Sequence, residues 1–304
     1  MEQKTKRILT TTLLLLSIAT IIYLLLPNIH RMKEADFSIG IVNVFLIGLV
    51  MICLLYLKAL VHAVILGKYQ LGPVTRLDII TSYANGQVVR YVPGKVLGIV
   101  SQSLKLGDVA KASYVWEANL SQYIITNLVS VLLILAVAGY VVFENSIFIF
   151  FFLLSSILSA SLLTSNGVTN LFDFASRILS IPSISTGSHS LPTKRALLVV
   201  MLLYVEWVFY FAAWYFLVAD GLGTSIYIGT LYAASSLLAL LAFVVPNGLL
   251  VREAIFLWLG TMVDIPAEEL IFYGLVIRVF YIFCDVVFYL LCELIVRLSA
   301  WSKK

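Results

Sequence analysis

The stretch RYVPGKVLGIVSQSLK (Arg90–Lys105) places a proline, two glycines and three cations inside a chain that is otherwise mostly apolar. Proline lacks an N–H and clashes with the preceding turn, and glycine adopts backbone angles that other residues avoid. A continuous helix through Pro93 and Gly94 is therefore not expected. The stretch predicts two helical arms separated by a break, and the rest of the chain decides what surrounds that break.

The composition of the chain indicates a membrane protein. The 304 residues are 62% hydrophobic and 12% charged, with a mean hydropathy of +1.04, whereas soluble domains are about half apolar and about a quarter charged. A helix needs about 20 mainly apolar residues to cross the hydrocarbon core. Runs of this kind lie at 9–26, 40–66, 121–143, 146–164, 196–219, 226–245 and 270–297. We expect one all-α polytopic membrane domain over residues 1–304, with seven or eight transmembrane helices.

Basic residues predict the orientation of these runs. They cluster before the first run, after the second and fourth runs, and at the C-terminus. The loops without basic residues are those near Glu144, Asp220 and Asp264. By the positive-inside rule we expect the cytoplasmic (inner or plasma) membrane, with both termini and the loop 165–195 in the cytoplasm. Only the loop with Arg31 and Lys33 does not fit this orientation.

A second interruption, Pro246-Asn247-Gly248, lies between the last two apolar runs. Broken backbone at membrane depth is tolerated only where it is buried in protein or lines a wet cavity. We expect a re-entrant segment at about 79–111 and a broken segment at about 246–262. If the second segment crosses the membrane there are eight passages and a cytoplasmic C-terminus. If it is also re-entrant there are seven, and the C-terminus lies outside.

Charged residues beside the breaks or deep in the runs are the candidate substrate-binding groups. Ionisable groups inside a membrane are costly and usually face a partner or a cavity, and a helix that starts after a break attracts anions. The candidates are Arg90, Lys95, Glu117, Glu206, Arg252 and Glu253, with Arg278 and Asp285 as secondary candidates. The alternative is that they form structural ion pairs, for example Glu206 with Arg278.

Motifs for other chemistries are missing from the sequence. Cys53, Cys284 and Cys292 do not have metal-ligand spacing, and there is no Walker pattern or Asp-x-Asp pair. The net charge of +4 fits residues that flank membrane runs rather than nucleic-acid binding. We therefore predict no catalytic residue, no metal, no cofactor and no nucleic-acid partner.

Three motifs carry a resemblance to a known family. RYVPGKVLGIVSQ, EANLSQ from Glu117 and VPNGLLVREAIFLWL are similar to the signature of the lysylphosphatidylglycerol synthase transmembrane-region family. That family is the flippase part of the multiple peptide resistance factor and also occurs as stand-alone membrane proteins. The similarity covers about residues 10–297, and no counterpart of the aminoacyl-transferase domain is present, so lysine transfer is not expected. The resemblance implies translocation of a lipid through a cavity formed by re-entrant helices.

These observations lead to one expected function and two alternatives. We expect translocation of a phosphate-containing lipid or lipid-linked glycan, with a phospholipid or a polyprenyl-phosphate-linked glycan as the partner. Arg90 and Lys95 would hold the phosphate by charge-assisted hydrogen bonds, and the carboxylates would neutralise the cavity or meet the headgroup. The alternatives are a membrane glycosyltransferase-like enzyme, with carboxylates as general bases, and an accessory or scaffold protein of glycan or lipid assembly. A homo-oligomer or contacts with envelope-assembly enzymes are further expectations.

Overall fold

The computed structural model describes residues 39–69, 74–90, 97–107, 110–143, 146–165, 167, 170, 190–239 and 251–301. Nearly all of these residues are helical, and none of them forms a strand. The helices are α1 (Ile41–Leu66), α2 (Arg76–Val89), α3 (Leu97–Leu106), α4 (Ala112–Phe143), α5 (Ser146–Thr164), α6 (Thr193–Val218), α7 (Leu222–Ala239), α8 (Val251–Thr261) and α9 (Ala267–Trp301). The predicted all-α class is confirmed.

Five of the described helices are long and apolar enough to cross a membrane, namely α1 with its following turn, α4, α6, α7 and α9. Large apolar side chains such as Phe45, Val208 and Leu290 are well exposed on their outer faces. Such surfaces are unfavourable in water and match a lipid environment. The chain is therefore an all-α membrane protein. The predicted run 9–26 and most of the loop 165–195 lie outside the described residues, and the total of seven or eight passages stays a prediction.

Each described helix packs against the next one along the chain, and the chain reverses direction at each connection. Between α8 and α9, for example, Gly260 lies against Leu270 beside the turn, and Glu253 reaches Arg278 further from it. The backbone hydrogen bond from Leu191 to Leu163 places the start of α6 at the end of α5. An odd number of reversals separates α1 from α6, so these two helices run antiparallel.

Two units with the same order of helices result from this arrangement. In the described residues, the first unit, α1–α4, and the second unit, α6–α9, each contain a longer helix, two shorter helices and another longer helix. The short helices pair as hairpins, α2 with α3 and α7 with α8. The most extensive contact between the two units is that of α1 with α6, and α9 also packs against α1 and α2. Because α5 adds one reversal between them, the second unit is inverted relative to the first.

Both predicted breaks fall between the arms of a hairpin. Pro93-Gly94 lies between α2 and α3, and Pro246-Asn247-Gly248 lies between α7 and α8; both motifs are outside the described residues. The start of the first hairpin is defined by a capping box, in which Thr75 Oγ1 accepts a hydrogen bond from the Asp78 amide at 3.2 Å. The segment predicted at about 79–111 thus corresponds to the α2–α3 hairpin. The segment predicted at about 246–262 overlaps α8, the second helix of the α7–α8 hairpin.

Gly98 allows the arms of the first hairpin to approach closely. A Cβ atom at Gly98 would lie 2.7 Å from the Gly86 carbonyl oxygen, and backbone cannot rotate away as a side chain can. We expect Gly98→Ala to lower the thermal unfolding midpoint in detergent, by an amount equivalent to about 1–3 kcal/mol. Gly48→Ala is the control, since its added Cβ would meet nothing within 4 Å. Equal effects of both substitutions would contradict this account.

Candidate functional site

Seven charged side chains meet where the two hairpins approach the long helices. This central cluster consists of Lys58, Arg90, Glu206, Arg252, Glu253, Arg278 and Asp285. Arg90 caps the C-terminus of α2, and Glu253 lies in the first turn of α8. Glu206 and Asp285 lie near the middle of α6 and α9. Each hairpin therefore contributes to the cluster a helix end that lies next to a predicted break.

Two tyrosines connect the parts of the central cluster. Tyr83 of α2 interacts electrostatically with Lys58, Arg90, Glu206 and Asp285. Tyr281 of α9 interacts with Arg252, Glu206, Arg90 and Asp285. Tyr281 therefore lies near charges from both hairpins.

The first hairpin is attached to α9 by a buried ion pair. Arg90 Nη2 donates to Asp285 Oδ2 at 2.7 Å, and the Asp285 side chain is 0% exposed. Arg90 also donates to Gln87 of its own helix. Since a buried carboxylate needs a paired cation, this contact holds the end of α2 against the middle of α9.

A second pair joins the two units. Lys58 Nζ of α1 lies 3.5 Å from Glu206 Oε1 of α6. The other carboxylate oxygen, Glu206 Oε2, is buried and has no hydrogen-bond partner among the described residues. One turn after Lys58, His62 Nδ1 lies 3.0 Å from Gln122 Oε1, and the Gln122 amide donates to the Lys58 carbonyl at 2.9 Å. Polar contacts thus continue from the cluster towards α4.

The second hairpin contributes a group of two arginines and one carboxylate. Glu253 Oε1 accepts a hydrogen bond from Arg278 of α9 and lies 3.6 Å from Arg252 Nε. The Arg252 guanidinium also lies over the Tyr232 ring of α7, 5.1 Å from its centroid. Two guanidinium groups therefore share one carboxylate oxygen.

The central cluster carries more positive than negative charge. It contains four cations and three carboxylates, a difference of one unit. Charges interact strongly in a medium of low dielectric constant, so the excess attracts an anion. No group of three or more His, Cys, Asp or Glu side chains within the described ranges is placed to hold a metal ion.

The structure brings together most, but not all, of the predicted site residues. The candidates found in the central cluster are Arg90, Glu206, Arg252, Glu253, Arg278 and Asp285. Lys95 lies outside the described residues. The suggested pairing of Glu206 with Arg278 does not occur, because Lys58 pairs with Glu206 and Glu253 pairs with Arg278. Lys58 was missing from the candidates, although a lysine within an apolar run is itself a signal of a buried partner.

Glu117 lies apart from the central cluster. Its Oε1 accepts a hydrogen bond from Lys68 Nζ at 2.7 Å, and both side chains are buried. Beside this pair, the Tyr69 ring stacks on Tyr114 with centroids 4.4 Å apart. Lys68 follows the last turn of α1 and Glu117 lies near the start of α4, so the pair joins these two helices close to their ends. This geometry fits a structural ion pair.

Glu117→Gln tests the structural role of this pair. The substitution leaves the buried Lys68 ammonium without its carboxylate, and breaking a buried pair in this way costs about 3–5 kcal/mol. We expect a lower unfolding midpoint in detergent, partly recovered in Lys68→Gln/Glu117→Gln because no unpaired charge remains. Any transport rate per folded molecule is expected to stay unchanged. A large change in that rate with unaltered stability would instead assign Glu117 to the substrate site.

The chain was also compared with known proteins. No family model, no curated protein and no solved structure matches it. The resemblance to the lysylphosphatidylglycerol synthase transmembrane-region family therefore stays a prediction. What the fold and the site define is an all-α membrane protein with two inverted units and a charged cluster at the hairpin ends.

Proposed function

We propose that the protein translocates a phosphate-containing lipid, or a lipid-linked glycan, across the cytoplasmic membrane. The observation that carries this proposal is the central cluster at the ends of two hairpins from inverted units. Many secondary transporters are built from inverted repeats, with discontinuous helices that form the substrate site near the middle of the membrane. The described fold has the features of that architecture.

The chemistry of the cluster supports a phosphate group as the substrate moiety. A charged headgroup cannot cross about 30 Å of hydrocarbon unaided, and the cluster offers cations part of the way across. Guanidinium groups bind phosphate oxygens through charge-assisted hydrogen bonds. The Arg90 and Lys58 side chains are 37% and 28% exposed, so the cluster is accessible from outside the protein. The lipid tails would remain in the surrounding bilayer.

A re-entrant course of both hairpins supports the predicted orientation. If α2–α3 and α7–α8 each enter and leave on one side, the passages are 9–26, α1, α4, α5, α6 and α9. This count of six places both termini on the same side, as the basic residues predict. The turns with Asp220 and Asp264, which have no basic residue, then lie on the opposite side. Treating α7 and α8 as one hairpin thus removes the need for eight passages.

Reconstitution into liposomes tests the proposed function. Fluorescent phosphatidylglycerol is placed in both leaflets, and a membrane-impermeant reductant then bleaches the outer leaflet. We expect the inner-leaflet label to become accessible much faster with the protein than in protein-free liposomes. A water-soluble dye sealed inside the liposomes reports leakage of the reductant. No acceleration with either phosphatidylglycerol or a polyprenyl-phosphate lipid would contradict the proposal.

A further inference from the structure

The Nε atom of Arg252 is buried and has no hydrogen-bond partner among the described residues. Its side chain is only 22% exposed, and a guanidinium carries five N–H donors. In the described part of the chain its one carboxylate neighbour is Glu253, at 3.6 Å from Nε, and Nε has no hydrogen-bond partner. Buried donors that remain unpaired are unfavourable. Arg252 therefore has a donor available for a further hydrogen bond.

The surroundings of Arg252 offer further unused donor capacity. Tyr232, whose ring lies under the guanidinium, is 2% exposed, and its hydroxyl has no partner among the described residues. Arg278 shares Glu253 with Arg252, so one carboxylate faces two cations. Arg252 also lies in the first turn of α8, where the backbone N–H groups lack intrahelical partners. Donors thus arrive from α7, α8 and α9.

Arg90, the other arginine at a hairpin end, differs from Arg252 because it is hydrogen-bonded to side chains of the protein. It is held by Asp285 at 2.7 Å and by Gln87. An incoming anion would have to compete with the Asp285 carboxylate at Arg90, but not with a hydrogen-bonded carboxylate at Arg252. Of these two arginines, Arg252 is therefore the one at which an anion meets less competition.

We infer that Arg252, Arg278 and Tyr232 form the binding site for a phosphate group. Guanidinium groups form paired, charge-assisted hydrogen bonds with phosphate oxygens, and a tyrosine hydroxyl can donate one more. A phosphate ester of a lipid headgroup and free phosphate share this chemistry. The assignment of the phosphate to a lipid rests on the proposed function, whereas the anion site itself does not.

Ligand-dependent thermal unfolding of the purified full-length chain tests this site. The probes are dioleoyl phosphatidylglycerol, dioleoylglycerol with the same chains, and inorganic phosphate. We expect phosphatidylglycerol to raise the unfolding midpoint and dioleoylglycerol to have no comparable effect. Arg252→Gln should weaken the apparent affinity at least tenfold, and Tyr232→Phe should weaken it by a smaller factor. A response to inorganic phosphate that also depends on Arg252 would show that the site accepts the free anion.

Arg195→Gln is the matched control, since Arg195 is an exposed cation at the start of α6, outside the cluster. It should bind like the unaltered protein. Arg252→Lys covers the case in which Arg252→Gln does not fold, because it keeps the charge but lacks the planar donor set. We expect it to bind more weakly than the unaltered protein. Equal stabilisation by dioleoylglycerol, or unchanged affinity in both Arg252 variants, would overturn the inference.

The liposome assay separates this inference from the proposed function. Arg252-dependent binding without translocation would leave the anion site in place and remove the transport proposal. Translocation by Arg252→Gln at the rate of the unaltered protein would remove the site and leave transport in place.

Discussion

Asp285→Asn is expected to lower the stability of the protein markedly. The Asp285 side chain is 0% exposed and lies 2.7 Å from Arg90. Removing its charge leaves the Arg90 guanidinium, whose side chain is 37% exposed, without this carboxylate. Breaking a fully buried ion pair from one side costs about 3–5 kcal/mol, and solvation of the exposed part of Arg90 lowers the expected cost towards the bottom of this range. The first hairpin also loses its attachment to α9, so unfolding should begin at a lower temperature or denaturant concentration.

Two controls make this expectation specific. Arg90→Gln/Asp285→Asn removes both charges and should recover part of the lost stability, although not the function of Arg90. Glu293→Gln removes a carboxylate from the same helix, where it pairs with Lys105 and both side chains are about a quarter exposed. Exposed pairs contribute about 0–1 kcal/mol, so this variant should unfold almost like the unaltered protein. Similar losses for Asp285→Asn and Glu293→Gln would contradict the special role of the buried pair.

The sequence predicts the class of the fold and the places where the helices are interrupted. Long apolar runs are typical of membrane helices, and proline next to glycine predicts a break, because both effects depend on local chemistry. In the described residues α2 packs against α3 and α7 packs against α8, so the chain reverses direction between 90 and 97 and between 239 and 251. The inverted units were not predicted. Residues 226–245 are apolar enough to resemble an independent passage, which concealed their pairing with α8 as a hairpin.

The sequence partly predicts which residues belong to the site, but it does not predict which of their charges form ion pairs. A charge in an apolar run needs a partner or a cavity, and this rule selects Glu206 and Asp285, whereas Arg90 is selected because it lies beside the predicted break at Pro93. Which charges meet depends on helix rotation and on which helices are neighbours, and neither is a local property. Lys58 therefore takes the carboxylate of Glu206, a pairing that only the packing of α1 against α6 reveals.

The inverted units also suggest why the cluster contains paired charges. Each hairpin end belongs to a different unit, and Tyr281 lies near charges of both. A substrate that moves from one side to the other would exchange partners within this region. Ion pairs such as Lys58 with Glu206 bring the net charge of the cluster close to zero, which favours the folded state. A larger net positive charge in the cluster would bind the phosphate more tightly and release it more slowly.

Glu206→Gln tests this balance, and we expect it to bind phosphate lipid more tightly and translocate it more slowly. The change removes one negative charge and raises the excess positive charge of the cluster by one unit. Across a helix-to-helix distance of about 8–10 Å, at an effective dielectric constant of about 20, one charge contributes about 2 kcal/mol. This energy corresponds to a roughly thirtyfold change in affinity. Concentration-dependent translocation in liposomes should show a lower half-saturation concentration and a lower maximal rate.

Glu268→Gln is the matched control for the tighter binding and slower translocation that we expect from Glu206→Gln. Glu268 is an exposed carboxylate in the first turn of α9, remote along the helix from Asp285, and its loss changes the net charge of the protein by the same amount. It should leave both quantities unchanged. Weaker binding by Glu206→Gln would mean that Glu206 contacts the substrate directly, for example through a cationic or hydroxyl group. Unchanged binding and rate would show that Lys58 and Glu206 serve only to hold α1 against α6.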